Sequence, residues 1–318
     1  MRDVTGYSFS TISGSPEEVV PGVARLEILF VNAYLVGAPG GPWVLMDTGL
    51  PLSAALTRRA AVERYGDEAR PEGIVLTHGH FDHAGAALDL ATGWDVPIYA
   101  HPLELPYLTG RSDYPPQDST MGGAIAQMAR LFPHGGYDFG DQVQPLPEDG
   151  NIPGVPNWRW IHTPGHTPGH VSLFRETDNV LLAGDALTTM NLDSWISQLT
   201  RKRELHRPPA PFTPDWETAR QSVEALAGLE PSVIAAGHGL PMAGRDVAGD
   251  LRSFAGRFTF PSTGRYVGRS ARADEEGVRE VPPPVPDPFP KRLAAGATMA
   301  VAAGAVGIAL ARRRGRRR

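Results

Sequence analysis

The chain has 318 residues, 41% of them hydrophobic, enough for one large globular domain with additional segments. It holds no cysteine, which excludes a disulfide framework and any thiolate ligand, so a metal site here must be built from nitrogen and oxygen. The net charge of −5 is uneven: residues 291–318 carry eight Lys and Arg and no acid, and subtracting those eight from the 30 basic residues leaves 22 against 35 acids, an acidic body for which no nucleic-acid partner is expected.

Residues 1–20 are polar and irregular. No apolar run follows Arg2, so no secretory leader and a cytoplasmic protein are expected. Val23 to Val36 reads as two strands meeting near Phe30-Val31-Asn32. Pro39-Gly40-Gly41-Pro42 is a turn, and Trp43-Val44-Leu45-Met46 is a buried strand ending in Asp47-Thr48-Gly49. Pro51 to Tyr65 has a helical pattern that offers Leu52, Leu56, Ala60 and Val62 to the core.

Ile74-Val75-Leu76 is a short apolar run, read as a buried strand. Thr77-His78-Gly79-His80-Phe81-Asp82-His83 follows it and gathers three imidazoles and a carboxylate. A tight loop leaving a strand aims several side chains at one point, whereas a helix spreads them over its faces. Gly79 frees the backbone for such a turn. Neutral imidazole and carboxylate are ligands suited to zinc or iron.

Ala84 to Leu90 continues as a short helix closed by Gly93, and Val96 to Ala100 is another strand, an order that indicates a layered α/β fold. His101 reads as structural. Residues 102–135 look like an insertion, with a loop over Leu108–Thr120 and a helix over Met121–Phe132 carrying Ile125, Met128, Ala129 and Phe132 on one face. It forms either a lid and wall of a substrate pocket or a solvated insertion on the sheet edge.

Val143–Leu146 and Trp158–Ile161 are strand-like. The paired Pro-Gly units of His162-Thr163-Pro164-Gly165-His166-Thr167-Pro168-Gly169-His170 impose tight turns that can aim His166 back at the first histidines. Val171–Phe174 and Val180–Ala183 read as a hairpin whose second strand delivers Asp185. Residues 186–212 are mostly loop. Thr213 is the expected N-cap of a helix with Trp216, Ala219, Val223 and Leu226 on its apolar face, stopped by Gly228. Val233–Ala236 is the last strand and carries His238, and Val247–Phe258 is a closing helix.

Residues 259–290 are rich in Pro, Arg and Glu and read as a linker. Leu293–Ala311 is then an uncharged run of 19 residues, flanked by Lys291-Arg292 and six arginines. At about 1.5 Å per residue it just reaches across a bilayer core of about 30 Å, while its Ala and Gly content makes insertion marginal. The expectation for 291–318 is a membrane-association element, spanning or lying on an anionic surface, with a disordered basic tail as the alternative.

His78-x-His80-x-Asp82-His83 resembles the core motif of the metallo-β-lactamase superfamily of metallohydrolases. The stretch around His166 looks like its second motif, Leu181-Leu182-Ala183-Gly184-Asp185 its third, and Ala235-Ala236-Gly237-His238-Gly239 its last. The resemblance covers about residues 20–257 and implies an α/β protein: an αββα sandwich of two mixed β-sheets flanked by helices, with a catalytic domain at 1–258. It implies that His78, His80 and His166 hold one metal ion, that Asp82, His83 and His238 hold a second, and that Asp185 bridges them. Two Zn2+ are expected, with Fe or Mn as alternatives. Asp47 would stand behind the site or simply form a turn.

Two cations about 3.5–4 Å apart would hold a hydroxide for attack on a carbonyl or phosphoryl centre, with Asp82 accepting or passing a proton. Asp185 points toward the glyoxalase II-like and lactonase-like branches. The absence of tyrosine from Leu187–Trp195 counts against a lactonase, and no long helical C-terminal domain is evident to bind glutathione. The expected function is hydrolysis of an ester, thioester or lactone of a small molecule. The alternative is a mononuclear iron oxidoreductase of the persulfide dioxygenase type, because the same ligands accept iron.

Overall fold

The structure, a computed structural model, describes residues 14–287. The membrane element expected at 291–318 lies outside the described residues, and among these no helix is long and apolar enough to cross a membrane.

The first half of the chain forms β1 (Glu17–Val20), β2 (Val23–Ile28), β3 (Val31–Val36), β4 (Val44–Met46), α1 (Ala54–Tyr65), β5 (Ile74–Val75), α2 (Phe81–Ala84), α3 (Ala87–Trp94), β6 (Ile98–Ala100), α4 (Leu105–Leu108), α5 (Gly123–Ala129) and β7 (Val143–Pro145). The second half forms β8 (Trp158–His162), β9 (Val171–Arg175), β10 (Val180–Gly184), α6 (Trp195–Thr200), α7 (Trp216–Ala227), β11 (Val233–Ala236), β12 (Met242–Ala243), α8 (Val247–Ala255), β13 (Arg272–Asp274) and β14 (Gly277–Glu280). Strands β1 to β7 pair in sequence order, antiparallel as far as β4 and parallel from β4 to β7. The second sheet runs β12-β11-β10-β9-β8, with β10 and β11 its parallel pair.

Alternate residues of one strand serve different layers. Val180, Leu182, Val233 and Ala235 join Val44, Met46 and Val75 in the core between the sheets. Their neighbours Leu181, Ala183, Ile234 and Ala236 pack outward on Val223 and Leu226 of α7 and Leu251 of α8. On the other side, Leu45 and Ile74 face Ala60 and Ala61 of α1 and Leu90 and Ala91 of α3. Each central strand is therefore buried on both faces, which is why it reads as an unbroken apolar run rather than an alternating one. The result is the four-layer αββα sandwich of two mixed sheets. Because β10 and β11 are parallel, Asp185 and His238 leave their strands at the same edge.

Several local readings need correction. Residues 17–20 are an edge strand rather than irregular chain. Helix α1 begins at Ala54 and buries Ala54, Thr57, Ala60 and Ala61, leaving Leu52 at 94% and Val62 at 40% exposure, so small residues set its close approach to the sheet. Gly93 lies inside α3, whose stop is Asp95 at φ +54°. Helix α6 interrupts the 186–212 loop. Asp215, not Thr213, caps α7, accepting from the Thr218 amide.

Residues 259–287 are not an extended linker. Tyr266 is 2% exposed and packs with Ala210 and Trp216, and its hydroxyl donates to the Pro116 carbonyl. The Arg265 amide donates to Asp118, the Val278 amide to Ser112 Oγ at 3.1 Å, and Arg130 pairs with Asp287. The segment straps the 108–132 insertion onto the domain. Proline content alone gave no sign of these partners.

Candidate metal centre

All seven residues singled out in the sequence converge. His78, His80, Asp82 and His83 leave the carboxyl end of β5, and His166 lies in the turn before β9. Asp185 ends β10, and His238 follows β11. Six of them are buried and His80 is half-buried. The ligand atoms of His78, His80 and His166 lie within 4.8 Å of one another, and so do those of Asp82, His83 and His238 and those of His78, His83 and Asp185. His166 Nε2 is 3.0 Å from His80 Nδ1 and 3.2 Å from His78 Nε2. Asp185 lies between the first two groups: Oδ2 is 3.2 Å from His238 Nε2 and 3.6 Å from His166 Nε2, while Oδ1 is 3.6 Å from His83 Nε2.

The far nitrogens of these rings fix their tautomers. His238 Nδ1 is 2.8 Å from the Phe30 carbonyl, which only accepts, so that nitrogen carries the proton. His83 Nδ1 likewise donates to Asp47 Oδ2 at 2.8 Å. The Thr213 hydroxyl donates to the Pro209 carbonyl and accepts from His166 Nδ1. The Thr77 hydroxyl donates to Asp47, so it accepts from His78 Nδ1 at 3.0 Å. In all four rings Nε2 faces the centre, and in the neutral ring it carries the lone pair. Lone pairs this close repel unless a cation lies among them. His83 Nε2 and Asp185 Oδ1 are buried with no hydrogen-bond partner, which is the mark of a set of donors built for an ion.

Without an ion the electrostatics divide the rings, keeping three neutral and pushing two toward the protonated form that a metal ion would displace. Burial holds His78 and His166 well below the usual histidine range, and burial with the neighbouring His83 takes His80 down to about 3, so these three rings stay neutral. Burial also pulls on His83 and His238, but the nearby carboxylates, Asp185 first among them, outweigh it and raise both. Asp185 is held well below the usual carboxylate range because His238 and His83 outweigh its burial, whereas burial raises Asp82.

Supporting groups surround the cluster. Asp47, held at φ +57° and 1% exposed, accepts from the Thr77 amide as well as from His83. His170 is not among the converging donors: its Nε2 accepts the Asp185 amide at 2.9 Å. Its Nδ1 donates to Thr163, the first link of a hydroxyl chain through Ser172 to the Ala183 carbonyl. His101 stacks on His162 with ring centres 4.1 Å apart and takes no part in the cluster. A Cβ at Gly237 would lie 2.1 Å from Asp185 Oδ1, so only glycine allows that carboxylate its position.

Sequence reasoning missed Glu104. It is fully buried at the end of a single 3-10 turn after β6 and receives four donors. Oε2 takes the Gly79 amide and the Tyr114 hydroxyl; Oε1 takes Thr167 Oγ1 at 2.6 Å and the Gly169 amide at 2.9 Å. One carboxylate thus ties the His78–His80 loop to the His166 loop. Tyr114, from the segment read as a loop, is 4% exposed with its ring 4.6 Å from that of His80.

A cleft of about 600 Å³, mouth included, opens over the cluster. The 102–135 insertion supplies one wall through Ile125, Met128 and Phe132, so it is a pocket wall and not a solvated loop on the sheet edge.

A profile of the metallo-beta-lactamase superfamily matches residues 26–238. The chain is 46% identical over 253 residues to the probable metallo-hydrolase YflN of Bacillus subtilis, a match covering 79% of this chain and 96% of that one. It is 31% identical to the probable metallo-hydrolase YybB of the same organism, over 61% of this chain and 74% of that one. A beta-lactamase domain protein from Burkholderia ambifaria shares the fold at a TM-score of 0.52 and 22% identity, covering 79% of this chain and 77% of that one. With two thirds of its length matched to the family profile and its sandwich carrying the histidine–aspartate cluster at one edge, the chain belongs to the metallo-β-lactamase superfamily.

Proposed function

We propose that this protein is a metal-dependent hydrolase that cleaves an ester, thioester or lactone of a small molecule. In this reading His78, His80 and His166 would hold one zinc ion, Asp82, His83 and His238 would hold a second, and Asp185, which stands between the two groups, would serve both. The observation that carries it is the pair of buried atoms without a hydrogen-bond partner, His83 Nε2 and Asp185 Oδ1, inside a cluster in which four of the five rings have their far nitrogen anchored outward. When bound, such ions lower the pKa of a water and polarise the bond to be cleaved.

The chain's own groups do the rest. Asp47, Thr77, Thr213 and the Phe30 carbonyl keep the rings in ligating tautomers. Asp82, which lines the cleft and is raised by burial, takes up or passes a proton at its carboxylate. The walls limit water around the reacting groups. No serine or cysteine nucleophile is required.

The test is metal analysis of anaerobically purified protein, followed by hydrolysis assays with thioesters, esters, lactones, phosphodiesters and β-lactams on zinc-, iron- and manganese-loaded samples. Turnover of an ester, thioester or lactone by the zinc form supports the reading. Oxygen uptake with a persulfide by the iron form, without hydrolysis, would replace it with the oxidoreductase alternative, since these donors accept either metal.

A further inference from the structure

The cleft has an unusual division of labour. Among the described residues, every ionisable one that lines it, His80, Asp82, His166, Asp185 and His238, belongs to the metal-type cluster on its floor. Among the described residues the walls carry no arginine or lysine, and their single polar side chain is Gln198, whose amide already donates to the Leu192 carbonyl. A substrate with a remote carboxylate, phosphate or peptide arm leaves that group unpaired in such a pocket, at a desolvation cost the site does nothing to offset.

The walls favour something else. Four phenylalanines stand around the cleft with Phe132 at the centre. Its ring lies 6.0 Å from Phe30, 5.1 Å from Phe81 and 6.3 Å from Phe212. The cage reaches the reactive floor directly, because Phe30 stacks on His238 and Phe212 packs edge-on against His80. Apolar surface also continues outward. Helix α6, which contributes Gln198, carries Trp195, Ile196 and Leu199 exposed at 59–86%, and Leu131 beside Phe132 is 86% exposed.

We infer that the group next to the scissile bond is an uncharged, apolar acyl chain of medium length, held in the Phe30–Phe81–Phe132–Phe212 cage, with Phe132 and Met128 setting the preference for chain length. This rests on the hydrolase reading for the scissile bond, but not for the binding of the chain.

The experiment separates the two. Binding of butanamide and octanamide, neutral and not cleaved, is measured by calorimetry on full-length zinc-loaded protein. Hydrolysis of the p-nitrophenyl esters of acetate, butyrate, octanoate and dodecanoate is measured on the same sample. Each methylene buried in the cage is expected to tighten binding roughly threefold to fourfold, so octanamide, four methylenes longer, binds about 80- to 250-fold more tightly than butanamide. The octanoyl to butyryl ratio of kcat/KM rises in parallel. Phe132→Ala, and separately Met128→Arg in case the first variant loosens the insertion, each lower that ratio about tenfold or more with metal content unchanged. If butanamide binds as tightly as octanamide, or if neither variant moves the ratio in binding, the inference is overturned. If octanamide binds tightly while no ester, thioester or lactone is cleaved, the apolar-chain inference stands and the hydrolase reading fails.

Discussion

Asp47 accepts the Nδ1 proton of His83 at 2.8 Å and, through the Thr77 hydroxyl, also fixes the ring of His78. One carboxylate thereby sets the tautomers of a ring in each of the two proposed ion sites. Asn at this position has one acceptor oxygen where three donors converge. Either the Thr77 amide or the His83 ring must then face an NH2 group. Asp47→Asn is expected to weaken metal binding by about 10- to 100-fold, the usual range for groups that orient ligands. Competition with a chelator measures it, and unchanged affinity in a folded variant would show that Asp47 only shapes the turn.

Asp185 lies within reach of histidines from both groups, at 3.2 Å from His238 and 3.6 Å from His166 and His83. Asp185→Asn keeps the shape and removes the charge. The expected result is a native circular dichroism spectrum, fewer than two ions per chain, and a loss of turnover beyond about a hundredfold, the upper range for groups one step further from the metal. A variant that keeps two ions and full turnover means that the carboxylate does not bridge.

Without its metal the centre makes the fold acid-sensitive. Burial holds His80 and His170 at about 3 and keeps His78 and His166 well below the usual range. These four rings take up protons in the unfolded chain below about 6.5 but stay neutral in the fold, so the unfolded state gains protons and stability falls as pH drops. His83 and His238 act in the opposite sense. Raised by carboxylates, they contribute stability below about 6.5 that is lost as pH rises through their raised values. With four rings against two, chelator-stripped protein should melt at a lower temperature at about pH 5 than at about pH 7. A higher melting temperature at the acid end would mean that the raised pair governs.

How much of this was readable without coordinates follows from how local each feature is. The strand cores were legible because both faces are buried and leave unbroken apolar runs. The first histidine cluster was legible because it lies within one loop. His166, Asp185 and His238 were found through their resemblance to family motifs, since nothing in their immediate neighbours says which loops will meet. Glu104 could not be found. Its four donors arrive from Gly79, Tyr114, Thr167 and Gly169, and a lone acid in sequence looks like surface. A hydroxyl before Pro-Asp has the pattern of a helix cap, which points to Thr213. The cap is Asp215, which freed Thr213 to orient His166.

Glu104 leads to a prediction that the sequence alone reverses. Read as a loop without core-forming residues between the two motif-bearing halves, 108–120 should change substrate preference on shortening and leave metal binding intact. In the fold it delivers Tyr114 to Glu104 and the Gly79 amide. Shortening it, or making Glu104→Gln, should therefore lower metal affinity and not only alter substrate preference. The amide of Gln meets two donors on one side, so a stability loss of about 1–3 kcal/mol is expected as well. Tyr114→Phe removes one donor only and should have the smaller effect. Metal retention equal to wild type in the shortened protein would return the loop to a purely peripheral role.

The basic tail gives the last prediction, and the strap changes how it must be tested. A chain cut at residue 258 loses the Tyr266, Arg265 and Asp287 contacts that hold the insertion, so its behaviour would report a damaged pocket wall. The cut belongs after residue 287. The uncharged run Leu293–Ala311 with six arginines beyond it is expected to bring the full-length protein down with vesicles containing phosphatidylserine, while the chain ending at 287 stays in the supernatant. Each arginine near an anionic surface contributes about 1 kcal/mol, and salt screens it. Release of the full-length protein by high salt indicates that the tail lies on the surface. Retention at high salt indicates insertion, for which the Ala- and Gly-rich composition is barely apolar enough. If the full-length protein ignores the vesicles at low salt, the tail is not a membrane element.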